Sequence, residues 1–291
     1  MLAARWQEAR RSNCLAVPIV LLAITLLHVA ATPVHAGAPS YSFRSPFDAQ
    51  QCDRAIHFGQ EAVQSSPSGT RSHFILAEGL LCHGIVADDP WALDRAIVEF
   101  RNLADLKPSD FFIHLDLFDA LRKRWPLAPE TAMSLKQVRS LFGTAGFGER
   151  RQTIKQYIDQ NAVAMAHDWA SARTLLERRG EAATQGTLNP GDMFEYLVTL
   201  AAVGPTGLTM ADRLFDHYTS NMEPTGLVLL AHAELSRGRV SPSDAQQLYN
   251  KARQDLCRDA ASIEERTMCP LATVRSKQIA LLVGALNTGI P

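Results

Sequence analysis

Apolar residues recur along this chain at three- and four-residue spacing, which is the period of an α-helix with one buried face. Strict alternation of apolar and polar residues, which would predict β-strands, is almost absent. Short clusters rich in proline and glycine separate the helical segments, namely SSPSG, ADDP, VGPTG and NMEPTG. The pattern predicts an all-helical protein in which short connections make successive helices antiparallel neighbours.

Four of these segments share an internal spacing. Each has a small residue, then a second position four residues later that is aromatic in three of the segments, then a third position three residues further on. The sets are Ala55, Gly59 and Ala62; Ala96, Phe100 and Leu103; Ala211, Phe215 and Tyr218; and Ala245, Tyr249 and Ala252. The step from Ala211 to Ala245 is 34 residues, a period typical of solenoids of helix pairs. We expect the small residue where two helices cross closely, because a larger side chain would push them apart.

These positions resemble the second helix of tetratricopeptide repeats and of the related Sel-like repeats. The segment LAHAELSRGRVSPSDAQQLYNKARQ, from Leu230 to Gln254, is most similar to the Sel-like form, with Gly238 in its loop. No segment carries the full first-helix pattern of the family, and the step from Ala55 to Ala96 is 41 residues. The resemblance implies a right-handed solenoid of antiparallel helical hairpins. A C-terminal helix, TVRSKQIALLVGALN, is expected to close the array by covering the last hairpin.

The chain divides into four predicted parts. Residues 1–36 are a signal peptide, 37–108 form N-terminal hairpin repeats, 109–189 form a diverged helical middle, and 190–291 form C-terminal repeats with the closing helix. A glycine-rich stretch, LFGTAGFGE, predicts a hinge near residues 143–148. The sequence leaves open whether the middle consists of diverged hairpins or of a hinge between two repeat lobes.

The leader has the layout of a secretory signal peptide. Basic residues precede the apolar run LAVPIVLLAITLLHVAA, and small residues at Val34 and Ala36 predict cleavage before Gly37. This processing indicates a periplasmic or secreted protein. The alternative is an uncleaved N-terminal anchor, because the apolar run is about 17 residues long, the length of the shortest membrane-spanning helices. No later segment is predicted to span a membrane.

Charge argues against a nucleic-acid partner. Three of the 29 basic and one of the 30 acidic residues lie in the predicted leader, so the predicted mature chain has a formal charge of −3. Binding to nucleic acid or to anionic lipid generally requires a basic face, which this composition does not indicate. No residue pattern assigns an oligomeric state.

Four cysteines remain after the predicted cleavage, and an even number in an exported chain favours disulfides. Four cysteines permit three connectivities. Cys52 and Cys82 lie 15 residues on either side of Pro67, so two helices that fold back at this proline would bring the two sulfur atoms level. Cys257 and Cys269 are close in sequence, between two helical patterns. We therefore predict the pairs 52 with 82 and 257 with 269.

Candidate catalytic and metal-binding groups are few. The glycines of GTAGFG follow no predicted strand and precede no lysine with serine or threonine, so a phosphate loop is not predicted. Asp116 and Asp119 share one helix face and could act as an acid and a base, but we interpret them as the solvated side of an amphipathic helix. His83 beside Cys82 is interpreted as an exposed histidine rather than a metal ligand. No catalytic residue, metal or cofactor is predicted.

Two function classes follow. The leading hypothesis is an exported scaffold without catalytic activity that binds a peptide or protein partner in the cell envelope and assists assembly of an envelope, secretion or polysaccharide-export complex. The resemblance implies that the first helix of each hairpin lines the binding groove, which assigns partner binding to Leu227, Glu234 and Arg237, whereas Leu230 is interpreted as core. The alternative is an exported all-helical hydrolase or lyase that acts on a cell-wall or polysaccharide substrate.

Overall fold

Short loops connect eleven α-helices in the computed structural model, which describes residues 49–258, 261 and 263–287, and this part of the chain contains no β-strand. A 3₁₀ turn at Gly148–Arg150 precedes the longest helix. The helices are α1 (Ala49–Ser65), α2 (Thr70–Val86), α3 (Pro90–Leu106), α4 (Phe111–Arg124), α5 (Pro129–Thr144), α6 (Arg151–Thr184), α7 (Pro190–Ala202), α8 (Pro205–Asn221), α9 (Gly226–Ser236), α10 (Pro242–Leu256) and α11 (Ile263–Asn287).

Proline and capping residues start many of these helices. Proline occupies the first turn of α3, α5, α7, α8 and α10, where its missing N–H costs no intrahelical hydrogen bond. The side chain of Asp89 accepts a hydrogen bond from the Trp91 N–H, and Asn189 and Ser241 cap α7 and α10 in the same way. The polar clusters that predicted the connections therefore also fix where the helices begin.

The first two helices cross closely. A Cβ atom added to Gly59 on α1 would lie 2.6 Å from the Leu76 Cα on α2. On the other side of the crossing, a Cβ atom added to Gly79 would lie 2.7 Å from the Ile56 backbone nitrogen. These distances leave no room for any side chain larger than glycine, so the two backbones approach each other because glycine stands at both positions.

The predicted repeat register is buried in both halves of the chain. Ala96, Ala211 and Ala245 are all 0% exposed, as the close-crossing interpretation requires. Their aromatic partners Phe100 and Tyr249 are also fully buried. The register of the sets on α3, α8 and α10 is therefore confirmed as core, whereas Ala55 and Ala62 of the set on α1 are only partly buried.

We call α1 to α5 the N-terminal array and α7 to α11 the C-terminal array. In each array consecutive helices pack against one another, and next-but-one helices also touch, as α2 with α4 and α7 with α9. The intervening α6 has 34 residues and is about 50 Å long at 1.5 Å per residue. Its first half contacts α4 through Tyr157 and Asp119, and its second half contacts α7 through Arg179 and Glu195.

The two arrays also contact each other through their loops. The backbone N–H of Leu127, after α4, donates to the carbonyl oxygen of Ala202 at the end of α7, with an N to O distance of 3.0 Å. Asp88, between α2 and α3, forms ion pairs with Arg237 after α9 and with Arg275 on α11. The sequence did not predict this contact, because the repeat pattern describes only neighbours within an array.

The all-helical prediction is confirmed for the described residues, including a long helix in the middle and a C-terminal helix that packs on α10 and α9. No helix in the described part of the chain is long and apolar enough to cross a membrane. The predicted signal peptide lies outside the described residues, and the division into four parts stays a prediction.

Candidate functional site

The residues predicted to bind a partner all make contacts within the chain. Leu227 is 3% exposed and lies in the core of the C-terminal array, as does the fully buried Leu230. Glu234 and Arg237, near the end of α9, belong to an ion-pair network. The structure therefore brings Glu234 and Arg237 together and places Leu227 apart from them.

This network, which we call the Asp88 cluster, consists of Asp88, Lys123, Glu234, Arg237 and Arg275. The Lys123 Nζ lies 3.0 Å from Asp88 Oδ1, and the Arg237 Nη1 lies 3.0 Å from Asp88 Oδ2. Arg275 donates through Nη1 to Asp88 and through Nε to Glu234, the latter at 3.0 Å. Three cations, from α4, from the residue after α9 and from α11, thus converge on one carboxylate in the loop between α2 and α3.

Burial and the three cations have opposite effects on the Asp88 carboxyl. Burial raises its pKa, but Arg237, Arg275 and Lys123 lower it more, so that the pKa of Asp88 lies far below its usual range. On Arg275, burial lowers the pKa, but Glu234 and Asp88 reverse the effect and the net shift is upward. The Asp88 carboxylate and the Arg275 guanidinium therefore each stabilise the charged form of the other.

The backbone at Asp88 is also unusual. With a φ of 53°, it is the one non-glycine residue with positive φ in the described part of the chain. Aspartate adopts this left-handed conformation more readily than most residues, because its short side chain bonds locally. The Arg237 side chain donates to the Asp88 carbonyl oxygen as well as to its carboxylate, which fixes the conformation. Such residues concentrate at sites where a precise position is required.

A glycine lets the two arrays meet at this cluster. Gly238 follows Arg237 with a φ of 85°, and a Cβ atom there would lie 3.1 Å from the Pro90 Cβ at the start of α3. The sequence identified Gly238 only as a loop residue of a repeat. In the structure its small size allows the loop after α9 to approach α3 closely.

A second polar group lies between α4 and α6. The interpretation of Asp116 and Asp119 as a solvated face is wrong, because these residues are 0% and 3% exposed. Nine of the fourteen residues of α4 are buried, so the helix is covered on nearly all sides. The face that amphipathicity assigned to water is covered by α6, whose Tyr157 hydroxyl donates a hydrogen bond to the Asp119 carboxylate.

Tyr157 and Asn161 are the polar residues of the α6 stripe that contacts α4. Burial raises the pKa of the Tyr157 phenol well above its usual range and Asp119 raises it further, whereas Arg122 and Asn161 act in the opposite direction. Asn161 is 0% exposed, and its Nδ2 donates to the Tyr157 carbonyl oxygen at 2.8 Å. Four charged or polar side chains from two helices are therefore close together in the interior.

Three buried polar atoms around this group have no hydrogen-bond partner: Asn161 Oδ1, Arg122 Nε and Trp169 Nε1. We call the set formed by Asp119, Arg122, Tyr157, Asn161 and Trp169 the α4–α6 cluster. Sequence reasoning missed it, although a signal was present. Tyr157 and Asn161 lie four residues apart inside the apolar stripe of Ile154, Ile158 and Met165, where a polar residue requires a buried partner.

Both predicted disulfide pairs form. The Cα atoms of Cys52 and Cys82 are 5.4 Å apart, and those of Cys257 and Cys269 are 5.1 Å apart, within the range of natural disulfides. The first bond joins α1 to α2, and the second joins the end of α10 to α11. The even number of cysteines and their positions on the predicted helices thus predicted the connectivity of the two disulfides.

His83, next to Cys82, differs from the exposed residue that was expected. Its side chain is mostly buried, its Nδ1 lies 2.6 Å from Asp53 Oδ1 on α1, and its Nε2 lies 3.5 Å from Asp89 Oδ2. The histidine bridges the first hairpin to the start of α3. Within the described residues, no group of histidine, cysteine, aspartate and glutamate side chains has the arrangement of a metal site.

Comparison with known proteins found no matching family model, no matching curated protein and no matching solved structure. The two polar clusters and the repeat register are therefore the basis on which a function is assigned.

Proposed function

We propose that this chain is an exported helical-repeat scaffold without catalytic activity that binds a peptide or protein partner in the cell envelope. Each array is a right-handed solenoid of tetratricopeptide-like or Sel-like hairpins, and the whole assists assembly of an envelope, secretion or polysaccharide-export complex. The observation that carries this proposal is the repeated register of small and aromatic residues, buried at Ala96 and Phe100 and again at Ala245 and Tyr249. Stacked helical hairpins present extended surfaces that are used mainly to bind other proteins.

The disulfides support export. Disulfides persist in oxidising compartments and are rare in the cytosol. Two of them in the predicted pairing, together with the signal-peptide pattern of residues 1–36, favour a periplasmic or secreted protein.

Partner binding at Leu227, Glu234 and Arg237 would require these residues to give up contacts that they make within the chain. Glu234 and Arg237 are already paired with Arg275 and Asp88, so a partner that used them would have to compete with these ions. Leu227 would have to leave the core. A partner could instead bind to another surface of the arrays without any such rearrangement. The Asp88 cluster would then serve only to hold the two arrays in position.

Affinity capture tests the proposal. The tagged mature chain is incubated with an envelope extract, and bound proteins are identified by mass spectrometry with and without an excess of untagged chain. We expect a small set of envelope proteins that the untagged chain displaces. If no protein is displaced and the purified chain instead shortens cell-wall or polysaccharide polymers, the scaffold proposal is replaced by the hydrolase or lyase alternative.

Export is tested separately. N-terminal sequencing of the chain recovered from the producing cell should find Gly37 as its first residue. The small residues at Val34 and Ala36 match the cleavage pattern of signal peptidases. An intact Met1 in the membrane fraction would show an N-terminal anchor instead.

A further inference from the structure

His73, near the start of α2, faces a hydrogen-bond acceptor with each of its two ring nitrogens. Its Nδ1 lies 2.7 Å from Glu99 Oε2 on α3, and its Nε2 lies 2.7 Å from the carbonyl oxygen of Pro67 in the turn between α1 and α2. A carbonyl oxygen and an ionised carboxylate can only accept hydrogen bonds. Both contacts can therefore form together only when both ring nitrogens carry a proton, which makes the histidine a cation.

His83, near the other end of α2, has the same arrangement. Its Nδ1 lies 2.6 Å from Asp53 Oδ1 on α1, and its Nε2 lies 3.5 Å from Asp89 Oδ2 at the start of α3. Both partners are carboxylates, so a neutral imidazole, which has only one N–H, would leave one of them facing a nitrogen lone pair. Helix α2 is thus joined to α3 near both of its ends by contacts that require a protonated histidine.

These contacts act on the first hairpin, formed by α1 and α2, as one unit. The disulfide between Cys52 and Cys82 joins the two helices, so they must leave α3 or return to it together. Beside the histidines, the ring of Phe74 on α2 meets the buried ring of Phe100 on α3 edge-on, with centroids 6.3 Å apart. Opening of the hairpin from α3 would expose this apolar contact, which does not itself depend on pH.

We propose that His73 and His83 form a pH-dependent clamp that holds the first hairpin closed on α3. When both histidines are protonated, the clamp is complete. When the pH rises and each imidazole loses a proton, one contact of each histidine becomes a repulsion between a nitrogen lone pair and an oxygen. The fraction of molecules in which the hairpin is open then increases. The clamp operates whether or not the chain binds a partner.

The groups that face the two histidines set the direction of the pH dependence. For His73, the hydrogen bond to the backbone carbonyl of the turn raises the pKa most, the Glu99 carboxylate raises it further, and burial opposes both. For His83, the hydrogen bond to Asp89 raises the pKa most, burial opposes it, and Asp53 adds to the increase. Because the pKa is higher in the closed form, the closed form is fully favoured below about pH 6.5 and loses this advantage as the pH rises through the closed-form pKa.

NMR of the protein with isotope-labelled histidine measures the protonation of each ring nitrogen. At about pH 5.5, the Nδ1 and Nε2 signals of His73 and His83 should both be those of protonated nitrogens. Titration should give both histidines a higher pKa than His57, the matched histidine on α1. The His57 side chain is 64% exposed, and its contact with Glu61 lies within its own helix, so it does not connect α1 to another element.

Hydrogen exchange measures the opening of the hairpin, after the rates are corrected for the intrinsic exchange rate at each pH. Between about pH 5.5 and about pH 8.5, opening of α2 relative to α10 should increase at least about tenfold in the wild type, because each histidine loses a hydrogen bond with a charged donor. The variant with His73→Gln and His83→Gln should open equally at both pH values. His57→Gln is the control and should follow the wild type.

Amide substitutions separate the clamp from simple packing. In the variant with Asp53→Asn and Glu99→Gln, the new side chains keep the shape of the carboxylates, but each amide can donate a hydrogen bond to a neutral histidine as well as accept one. Opening of α2 in this variant should therefore change much less with pH than in the wild type. A role of the histidines in packing alone would not make the pH dependence sensitive to these substitutions.

Two results would overturn the clamp. One is an NMR spectrum at about pH 5.5 in which His73 and His83 each carry only one ring proton, since neutral histidines cannot make both contacts. The other is equal opening of α2 in the wild type at the two pH values. Either result would leave the proposed scaffold function unaffected, because capture of a partner from the envelope extract is measured separately.

Discussion

Ala96 tests the repeat register at the scale of a single side chain. It is fully buried in α3 at a position predicted as a close helix crossing. Ala96→Leu should lower the free energy of unfolding by about 1 to 3 kcal/mol, because the added atoms force neighbouring helices apart. Ala132→Leu on α5 is the control, since Ala132 is exposed and leucine is nearly as favourable as alanine in a helix. Thermal melts of both variants decide the matter, and equal melting temperatures would contradict the register.

The same residue scale shows what the sequence could and could not predict. Ala96 and Ala245 could be recognised as core positions because the same spacing recurs in several segments. A single alanine on a helix would not have been enough to identify either position. Asp116 and Asp119 were misassigned because amphipathicity describes one helix against water, whereas α4 is covered by α6 from another part of the chain. The local pattern of α4 does not show which distant helix covers it.

His83 gives a pH-dependent prediction. A hydrogen bond with Asp89 raises its pKa above 6.5, burial opposes this, and a hydrogen bond with Asp53 raises it again. Because the folded-state pKa is the higher one, protonated His83 stabilises the fold below about pH 6.5 and loses this contribution as the pH rises through the folded pKa. His83→Gln should therefore lose more stability at pH 5.5 than at about pH 8.5 in urea titrations.

The control for this prediction is His217→Gln, which replaces an exposed histidine on α8. Its stability should follow that of the wild type at both pH values. If the loss on His83→Gln were the same at both pH values, the histidine would act through packing and not through its charge.

At the scale of an element, the first hairpin depends on its disulfide. The bond between Cys52 and Cys82 spans 30 residues and lies at the start of the N-terminal array. The variant with Cys52→Ser and Cys82→Ser should lose about 3 to 4 kcal/mol of stability in the chain-entropy model. The effect should fall mainly on α1 and α2, because these are the two helices that the bond joins.

Two measurements check it. Peptide mapping without reduction should recover the pairs 52 with 82 and 257 with 269, and hydrogen exchange of the double variant should speed up in α1 before it does in α9. Recovery of a peptide that joins Cys52 to Cys257 would contradict both the hairpin and the register of α1 against α2.

Element boundaries were more predictable than element contacts. The helices 49–65 and 70–86 lie on either side of the turn around Pro67, as the SSPSG cluster predicted. The helical character of the middle was also visible in the sequence. Its contact with α4 was not, because Tyr157 and Asn161 inside an apolar stripe indicate that a buried partner exists but not which helix supplies it.

At the scale of the whole molecule, the Asp88 carboxylate is the centre of the charged contact between the two arrays. Asp88→Asn keeps a residue that tolerates the left-handed backbone but removes the charge on which Arg237, Arg275 and Lys123 converge. Three cations would then face only Glu234. We expect a loss of about 1.5 to 3 kcal/mol, the range for hydrogen bonds to charged groups, because the Asp88 side chain is 29% exposed and water screens part of the charge. The exposed Asp105→Asn on α3 is the control and should behave as the wild type.

Salt and hydrogen exchange distinguish this contact from simple loss of packing. In Asp88→Asn the remaining cations repel one another, so raising the salt concentration should recover part of the lost stability through screening. Exchange should accelerate at the end of α9, which precedes Arg237, and in the middle of α11 around Arg275, while the first hairpin stays protected by its disulfide. The contrary result is an Asp88→Asn protein with the melting temperature of the wild type and unchanged hydrogen exchange in α9 and α11. It would mean that packing alone holds the arrays together and that the Asp88 cluster is a consequence of their contact.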